Sequence, residues 1–321
     1  MAGYGAAVGI ARMRSTTAPA EAAVERLIDE RLGRSGAAGR HLYFGTSQGR
    51  IHVLEAGGDG DPLILVHGLG GSAGSYAALI SWLSMTFHVV AVDLPGAGIS
   101  DPIHFTAHPR SPWVDIIGEI ATELSLVRPH LVGHSMGGLA AGAYCVADPA
   151  RVARLVLLAP IGLAVAPPRS WLAARIPGLA DLVFNLDSWA MERQWARGDG
   201  DMRGLPGGPV EVGPDPDGYR MLVSRRFRSG FDLHAFARLM TLTGFHPDSL
   251  LLPGLGLLSG RTLVIFGDED HKVAPGPARQ QLSHYPGIEL KTVPGWGHLF
   301  PFLEPERTAD LVETWLDPGT A

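Results

Sequence analysis

From residue 62 onward the sequence predicts an α/β fold, a mostly parallel, doubly wound sheet interrupted late in the chain by an inserted helical cap. The first observation is an alternation of apolar strand-like runs with stretches of helical spacing: "PLILVHG", "SYAALISWLS", "FHVVAVDL", "VDIIGEIATELSL", "PHLVGHS", "GGLAAGAYCVA" and "VARLVLLAP". Strands buried on both faces read as continuous apolar runs, and helical crossovers between them make the sheet parallel. The second observation is a gap. The alternation stops near Pro160 and resumes only at "RTLVIFGD", so residues 162–260 read as an insert in a core formed by 1–161 and 261–321.

Taken in order, the first 20 or so residues are rich in Ala and Gly and read as floppy. "AEAAVERLIDERLG" has apolar residues at helical spacing and reads as a leading helix with Gly33 as its C-cap. "HLYFGTSQGRIHVLEA" is two β-rich runs around a polar Gly/Ser turn, the pattern of a hairpin. The alternating core follows. The insert carries Trp171, Trp189 and Trp195 and apolar runs of helical spacing, as expected of a helical cap, while "GDGDMRGLPGGPVEVGPDPDG" is too rich in Gly, Pro and Asp for regular structure. After it come a helix around "GPARQQLSHY", the strand "IELKTV" and a final helix, "ERTADLVETWL".

Composition narrows the partners. With 46% hydrophobic and 18% charged residues in 321, the chain can bury a sizeable core. A net charge of −6 offers no basic surface for nucleic acid or anionic lipid, so a small, mostly uncharged ligand is expected. Cys145 is the single cysteine, which excludes an intramolecular disulfide and a cysteine-rich zinc site and fits a cytoplasmic location. It reads as a small buried helix residue. In "MAGYGAAVGIARMR" the arginines follow the apolar run instead of preceding it, so no signal peptide is expected. The uncharged run from Pro129 to Ala147 is interrupted by "GHS" and reads as a strand turning into a buried helix, not a membrane span.

Three stretches have the form GxSxG: "GTSQG", "GGSAG" and "GHSMG", centred on Ser47, Ser72 and Ser135. In a chain with 42 glycines the pattern alone is weak, and context decides. Ser47 sits in the hairpin turn with no helix after it. Ser72 is separated from its strand by a Gly-rich loop. Ser135 alone comes directly off a strand and directly begins a helix, a turn that strains the serine backbone and needs small neighbours at Gly133 and Gly137. Its hydroxyl would project at a helix N-terminus, where negative charge is favoured.

With "HGLGG", "DLPGAGIS", "GHSMGG", "GDEDHKV" and "GWGH" in this order, the chain closely resembles the α/β-hydrolase family over nearly all of its length after about residue 40. The resemblance implies an α/β-hydrolase fold and an acyl-transfer mechanism in which a serine attacks, a histidine takes its proton and a carboxylate fixes the histidine. It places the acid at Asp270, in preference to the adjacent Asp268 and Glu269. It places the base at His298, in a Gly-rich loop before the last helix. His234 and His246 fall in the cap, His271 adjoins the acid and His284 lies in a helix. By resemblance the backbone N–H groups of Met136 and Leu69 form the oxyanion hole, and Ser72 and His67 take structural parts in the loop carrying Leu69.

The implied activity is a cofactor-independent, metal-free serine hydrolase cleaving an ester or thioester with an apolar acyl part. The carbon–carbon bond hydrolases of aromatic degradation stay open, since they share the SMGG elbow and a cap, although a tryptophan usual in that group is Leu299 here. Aspartate-nucleophile dehalogenases and epoxide hydrolases do not fit Ser135, and the cap supplies Tyr219 as its one tyrosine for epoxide opening. A catalytically silent binding protein of the same fold is the alternative from another class. A dinucleotide-binding unit is a further rival, because "GLGGSA" after a strand, with Asp93 ending the next, has its outline. Oligomeric state is not legible.

Overall fold

The computed structural model describes residues 19–68, 71–101, 112–163 and 252–317. Helix α1, Pro19–Arg34, buries Val24, Leu27, Ile28 and Leu32, the face that its spacing predicts. It does not end at Gly33. The chain turns at Gly36, whose φ of 76° is left-handed, while Ala37 N–H donates to the Leu32 carbonyl and Gly36 N–H to that of Gly33. This is a Schellman ending with Gly36 in the position that only glycine takes without strain, and Gly33 is an ordinary helical residue.

Strands β1 (Gly39–Thr46) and β2 (Gly49–Ala56) form the expected hairpin, with Thr46 opposite Gly49. Ser47 lies exposed in its turn, and its N–H donates to the Glu119 carboxylate at 3.0 Å. The remaining strands are β3 (Pro62–Val66), β4 (His88–Val92), β5 (His130–His134), β6 (Leu155–Leu158), β7 (Thr262–Gly267) and β8 (Ile288–Val293). The sheet order is β1-β2-β4-β3-β5-β6-β7-β8. β1, β2 and β4 pair antiparallel, and every pairing from β4 to β8 is parallel. β5, β6 and β7 are buried throughout, as their unbroken apolar runs require, whereas edge strand β8 exposes Glu289.

The crossovers are α2 (Ala77–Leu83), preceded by a 3-10 turn at Ala73–Tyr76, then α3 (Pro112–Glu123), α4 (Met136–Ala147) and α5 (Pro275–Leu282). After β8 come α6 (Phe300–Leu303) and α7 (Pro305–Leu316). Strand β3 has β4 on one side and β5 on the other, so the winding reverses there. In such sheets the crevice at the carboxyl ends of the strands next to the reversal is where ligands bind. Of the expected cap, 164–251 lies outside the described residues, as do 1–18. The short helix Leu252–Leu255 and the 3-10 turn Gly256–Leu258 lie against α4 and lead into β7, which pairs directly with β6.

Asp93, fully buried after β4, ties several of these pieces together. Its carboxylate accepts from Ala73 N–H at 2.6 Å, from Ile99 N–H at 2.8 Å and from His52 Nδ1–H at 2.8 Å. His52 Nε2 in turn meets His41 Nδ1 at 2.8 Å, and His41 Nε2 reaches Asp29 on α1 at 3.2 Å. A buried charge is tolerated when it is hydrogen-bonded in this way. The dinucleotide reading fails at this residue, because its carboxylate is fully buried and already taken up by these three donors.

Among the described residues, three histidines have their protonation pushed down, in each case chiefly by burial: His41, helped by neighbouring His52; His130; and His134, helped by His298. Unfolded imidazoles take up protons near pH 6.5, while these do so only at lower pH. Below about pH 6.5 the unfolded state therefore binds more protons, and stability falls as pH drops. The urea midpoint should be lower at about pH 5.5 than at about pH 7, and His130→Gln should narrow the difference. A midpoint that is flat or rises on acidification would contradict this.

Candidate active site

Strand β5 ends at His134, and Ser135 turns the chain into α4 with φ 53° and ψ −115°. A non-glycine residue at positive φ is strained, and such strain persists only where the surroundings enforce it. Here Ser135 N–H donates to the Leu158 carbonyl at 2.9 Å, and the Ser135 carbonyl accepts from Gly138 and Ile161 N–H at 3.1 and 3.2 Å. The turn is possible because its flanks lack side chains. A Cβ on Gly137 would run into the carbonyl oxygens of Val66 and His67, and one on Gly133 would lie 2.5 Å from the Gly137 carbonyl oxygen.

Ser135 occupies the N-cap position of α4, yet its hydroxyl makes no cap bond. It is partly exposed, and Oγ lies 3.0 Å from His298 Nε2. His298 Nδ1–H donates to Asp270 Oδ2 at 2.8 Å, which leaves Nε2 to accept from the serine hydroxyl. Asp270 is buried, and its second oxygen accepts from Lys272 and Val273 N–H at 2.9 and 2.8 Å. Both carboxylate oxygens are thus committed, which fixes the direction from which the carboxylate meets the imidazole.

The loops carrying these two residues hold each other. Asp268 Oδ1 accepts from Gly295 N–H at 2.7 Å, and Glu269 N–H donates to the Trp296 carbonyl at 3.0 Å. Asp268 and Glu269 are exposed, so of the three acidic residues in "GDED" only Asp270 reaches the histidine. His271 and His284 are exposed on the surface, and His234 and His246 lie outside the described residues.

Gly68 borders the serine closely: a Cβ there would lie 3.2 Å from that of Ser135. Leu69 lies outside the described residues. Met136 is the first residue of α4, where N–H groups have no partner within the helix. Ser72 is buried and bonds Ser75, capping the 3-10 turn. His67 is buried, with Nδ1–H donating to the Gly68 carbonyl and Nε2 accepting from Leu94 N–H. Both therefore have structural parts, as expected.

Two residues escape the motif reading. His134 is buried, its Nδ1 lying 2.8 Å from Tyr76 Oη and its Nε2 3.0 Å from the His298 carbonyl oxygen. Tyr76 Oη also accepts from Gly68 N–H at 3.3 Å. A histidine ending an otherwise apolar strand was the available signal, since a buried imidazole needs partners at both nitrogens. Among the described residues no group of His, Cys, Asp and Glu could hold a metal ion, and no helix is long and apolar enough to cross a membrane.

Compared with known proteins, residues 63–311 match the alpha/beta hydrolase family. A 2-hydroxy-6-oxononadienedioate/2-hydroxy-6-oxononatrienedioate hydrolase of Paraburkholderia phymatum is 34% identical over 122 residues, 37% of this chain and 42% of that protein. The dihydrolipoyllysine-residue acetyltransferase component of the acetoin cleaving system of Cupriavidus necator is 30% identical over 141 residues, 44% of this chain and 37% of that protein. The matches thus span less than half the length of these curated relatives. Among solved structures, the carboxylesterase CesB of Bacillus subtilis superposes with a TM-score of 0.70 over 94% of this chain and 100% of its own, at 21% identity. That likeness is one of fold.

The strain at Ser135 can be measured apart from any chemistry. Ser135→Gly and Ser135→Ala both remove the hydroxyl, but only glycine relieves the positive φ. The glycine variant should be the more stable of the two by about 1 kcal/mol, after the extra freedom of glycine in the unfolded chain is offset. Equal denaturation midpoints, or a more stable alanine variant, would show that the turn is not strained.

Proposed function

The chain belongs to the alpha/beta hydrolase family, and on that premise we propose that it is a serine hydrolase cleaving an ester or thioester with an apolar acyl part through an acyl-enzyme. The observation that carries this reading is the unbroken Ser135–His298–Asp270 chain, with contacts of 3.0 and 2.8 Å. Ser135 Oγ attacks the acyl carbon as His298 Nε2 takes its proton, and Asp270 stays ionised and holds the imidazolium. The oxygen that becomes negative is met by the backbone N–H groups of Met136 and Leu69, aided by the positive end of α4. The tetrahedral species collapses as His298 protonates the departing alcohol or thiol. Water then attacks the acyl-serine, giving its proton to His298, and the acid leaves as Ser135 is restored.

No cofactor takes part in this scheme, and the substrate is a small apolar molecule met in the cytoplasm. The preference for an apolar acyl group rests on the apolar runs of the insert. The similarity to the Paraburkholderia phymatum hydrolase supports a second reading, cleavage of a carbon–carbon bond next to a ketone by the same three residues. Against it, Leu299, buried beside His298, stands where that group usually has tryptophan.

A fluorophosphonate should label Ser135 and no other residue, as located by peptide mass spectrometry. No adduct on folded protein would favour a silent binding role. Ser135→Ala, His298→Ala and the double variant should each lose roughly 10⁴- to 10⁶-fold in kcat, because residues that act as a unit are not additive. Additive losses would contradict the scheme. Esters of increasing acyl length should be cleaved with rising kcat/KM; no preference beyond acetate would refute the apolar acyl site, and turnover confined to a vinylogous diketone acid would favour the second reading.

A further inference from the structure

His134 ends β5 one residue before Ser135, and the hydrogen bonds around it allow one arrangement of protons. Its ring is buried, with His298, His67 and Lys272 as the charged or titratable neighbours that disfavour a further positive charge, so it is held neutral. A neutral imidazole has one donor and one acceptor. The His298 carbonyl can only accept, so His134 Nε2 carries the hydrogen and Nδ1 must accept. The phenol of Tyr76 therefore donates to Nδ1, and its oxygen is left to accept from Gly68 N–H. The result is a directed chain from Gly68 N–H through Tyr76 Oη–H and His134 to the His298 carbonyl.

The same three groups are packed as well as bonded. The His134 and His298 rings lie 5.0 Å apart, and Phe302 of α6 closes on both sides, 5.6 Å from His134 and 4.6 Å from Tyr76. Gly68 itself lies next to Ser135, and His298 carries the imidazole that meets the serine hydroxyl. Both are thus referenced to one residue, the immediate neighbour of the serine.

We propose that Tyr76 and His134 are positioning residues that set the backbone at Gly68 and that of His298 in common register with Ser135. This rests on the serine hydrolase reading above. Neither side chain touches the reacting atoms. Their effect is on how often Nε2 of His298 and the backbone at Gly68 are in place together, and misplacement on the scale of an ångström is enough to slow an acyl transfer by about 100-fold.

Histidine-selective ¹⁵N NMR on the full chain near neutral pH reads the tautomer directly, and four variants read its consequence. His134 should appear neutral with its hydrogen on Nε2. Tyr76→Phe keeps the ring against Phe302 and removes the link to Gly68, and His134→Asn keeps an acceptor for Tyr76 but falls short of the His298 carbonyl. Each should lower kcat on a short aryl ester about 10- to 100-fold with KM within about twofold. His134→Gln, whose amide can reach that carbonyl, should recover most of the loss, and His134→Phe should not.

A tautomer with hydrogen on Nδ1, or kcat within about twofold of the parent in Tyr76→Phe and His134→Asn, would overturn the positioning role while fluorophosphonate still labels Ser135. So would equal losses in the Asn and Gln variants that merely follow their loss of thermal stability. A parent protein that gives no adduct on Ser135 overturns the hydrolase reading, and the positioning role with it, whatever the tautomer.

Discussion

The site depends on one close approach of backbone to backbone. Helix α4 can begin where it does only because Gly137 lets its first turn rest on the carbonyls of Val66 and His67, at the end of β3. That contact fixes where β5 must stop and forces Ser135 into a positive φ. The serine hydroxyl then points away from the helix it caps and toward a loop from the far side of the sheet. Packing at one methyl-sized gap thus decides the direction of a reactive group.

A second organising element is a buried charge. Asp93 draws in the start of the 3-10 turn, the loop after β4 and, through His52, the antiparallel hairpin. These are pieces from different parts of the chain, and each supplies a donor that would otherwise be buried without a partner. Such a carboxylate is strongly satisfied in the native state and has no comparable set of partners in an unfolded chain. Selection of one arrangement of the hairpin against the parallel core follows from it. It also explains why this end of β4 looks, in sequence alone, like a ribose-binding position: a carboxylate at the end of a strand is common to both designs, and only its surroundings tell them apart.

The strands of the core were legible because each is buried on both faces and so leaves an unbroken apolar run, and the helices because their apolar spacing is regular. Ser135, Asp270 and His298 were legible through resemblance to a family, carried by short stretches in a fixed order; their meeting in space is geometry that the order could not supply. The end of α1 was misplaced at Gly33 because "GRSGAAG" holds several glycines, and only a left-handed φ marks the one at Gly36 as the terminator. Tyr76 left no local trace, and His134 left only that of an imidazole ending an apolar strand. Their partners lie far off along the chain, and an aromatic or imidazole inside an apolar stretch looks like any other packed ring. The same holds for His52 and Asp93, joined across 41 positions.

The segment after β6 leaves the core at the serine itself. Ala159 N–H is held by the Ile265 carbonyl, Ile161 N–H by the Ser135 carbonyl, and Pro160 lies where a side chain at Gly138 would be. The stretch just after β6 is therefore part of the elbow. A shift of the backbone at residues 159–161 would thus be carried straight to the Ser135 carbonyl, whatever sequence follows Leu163.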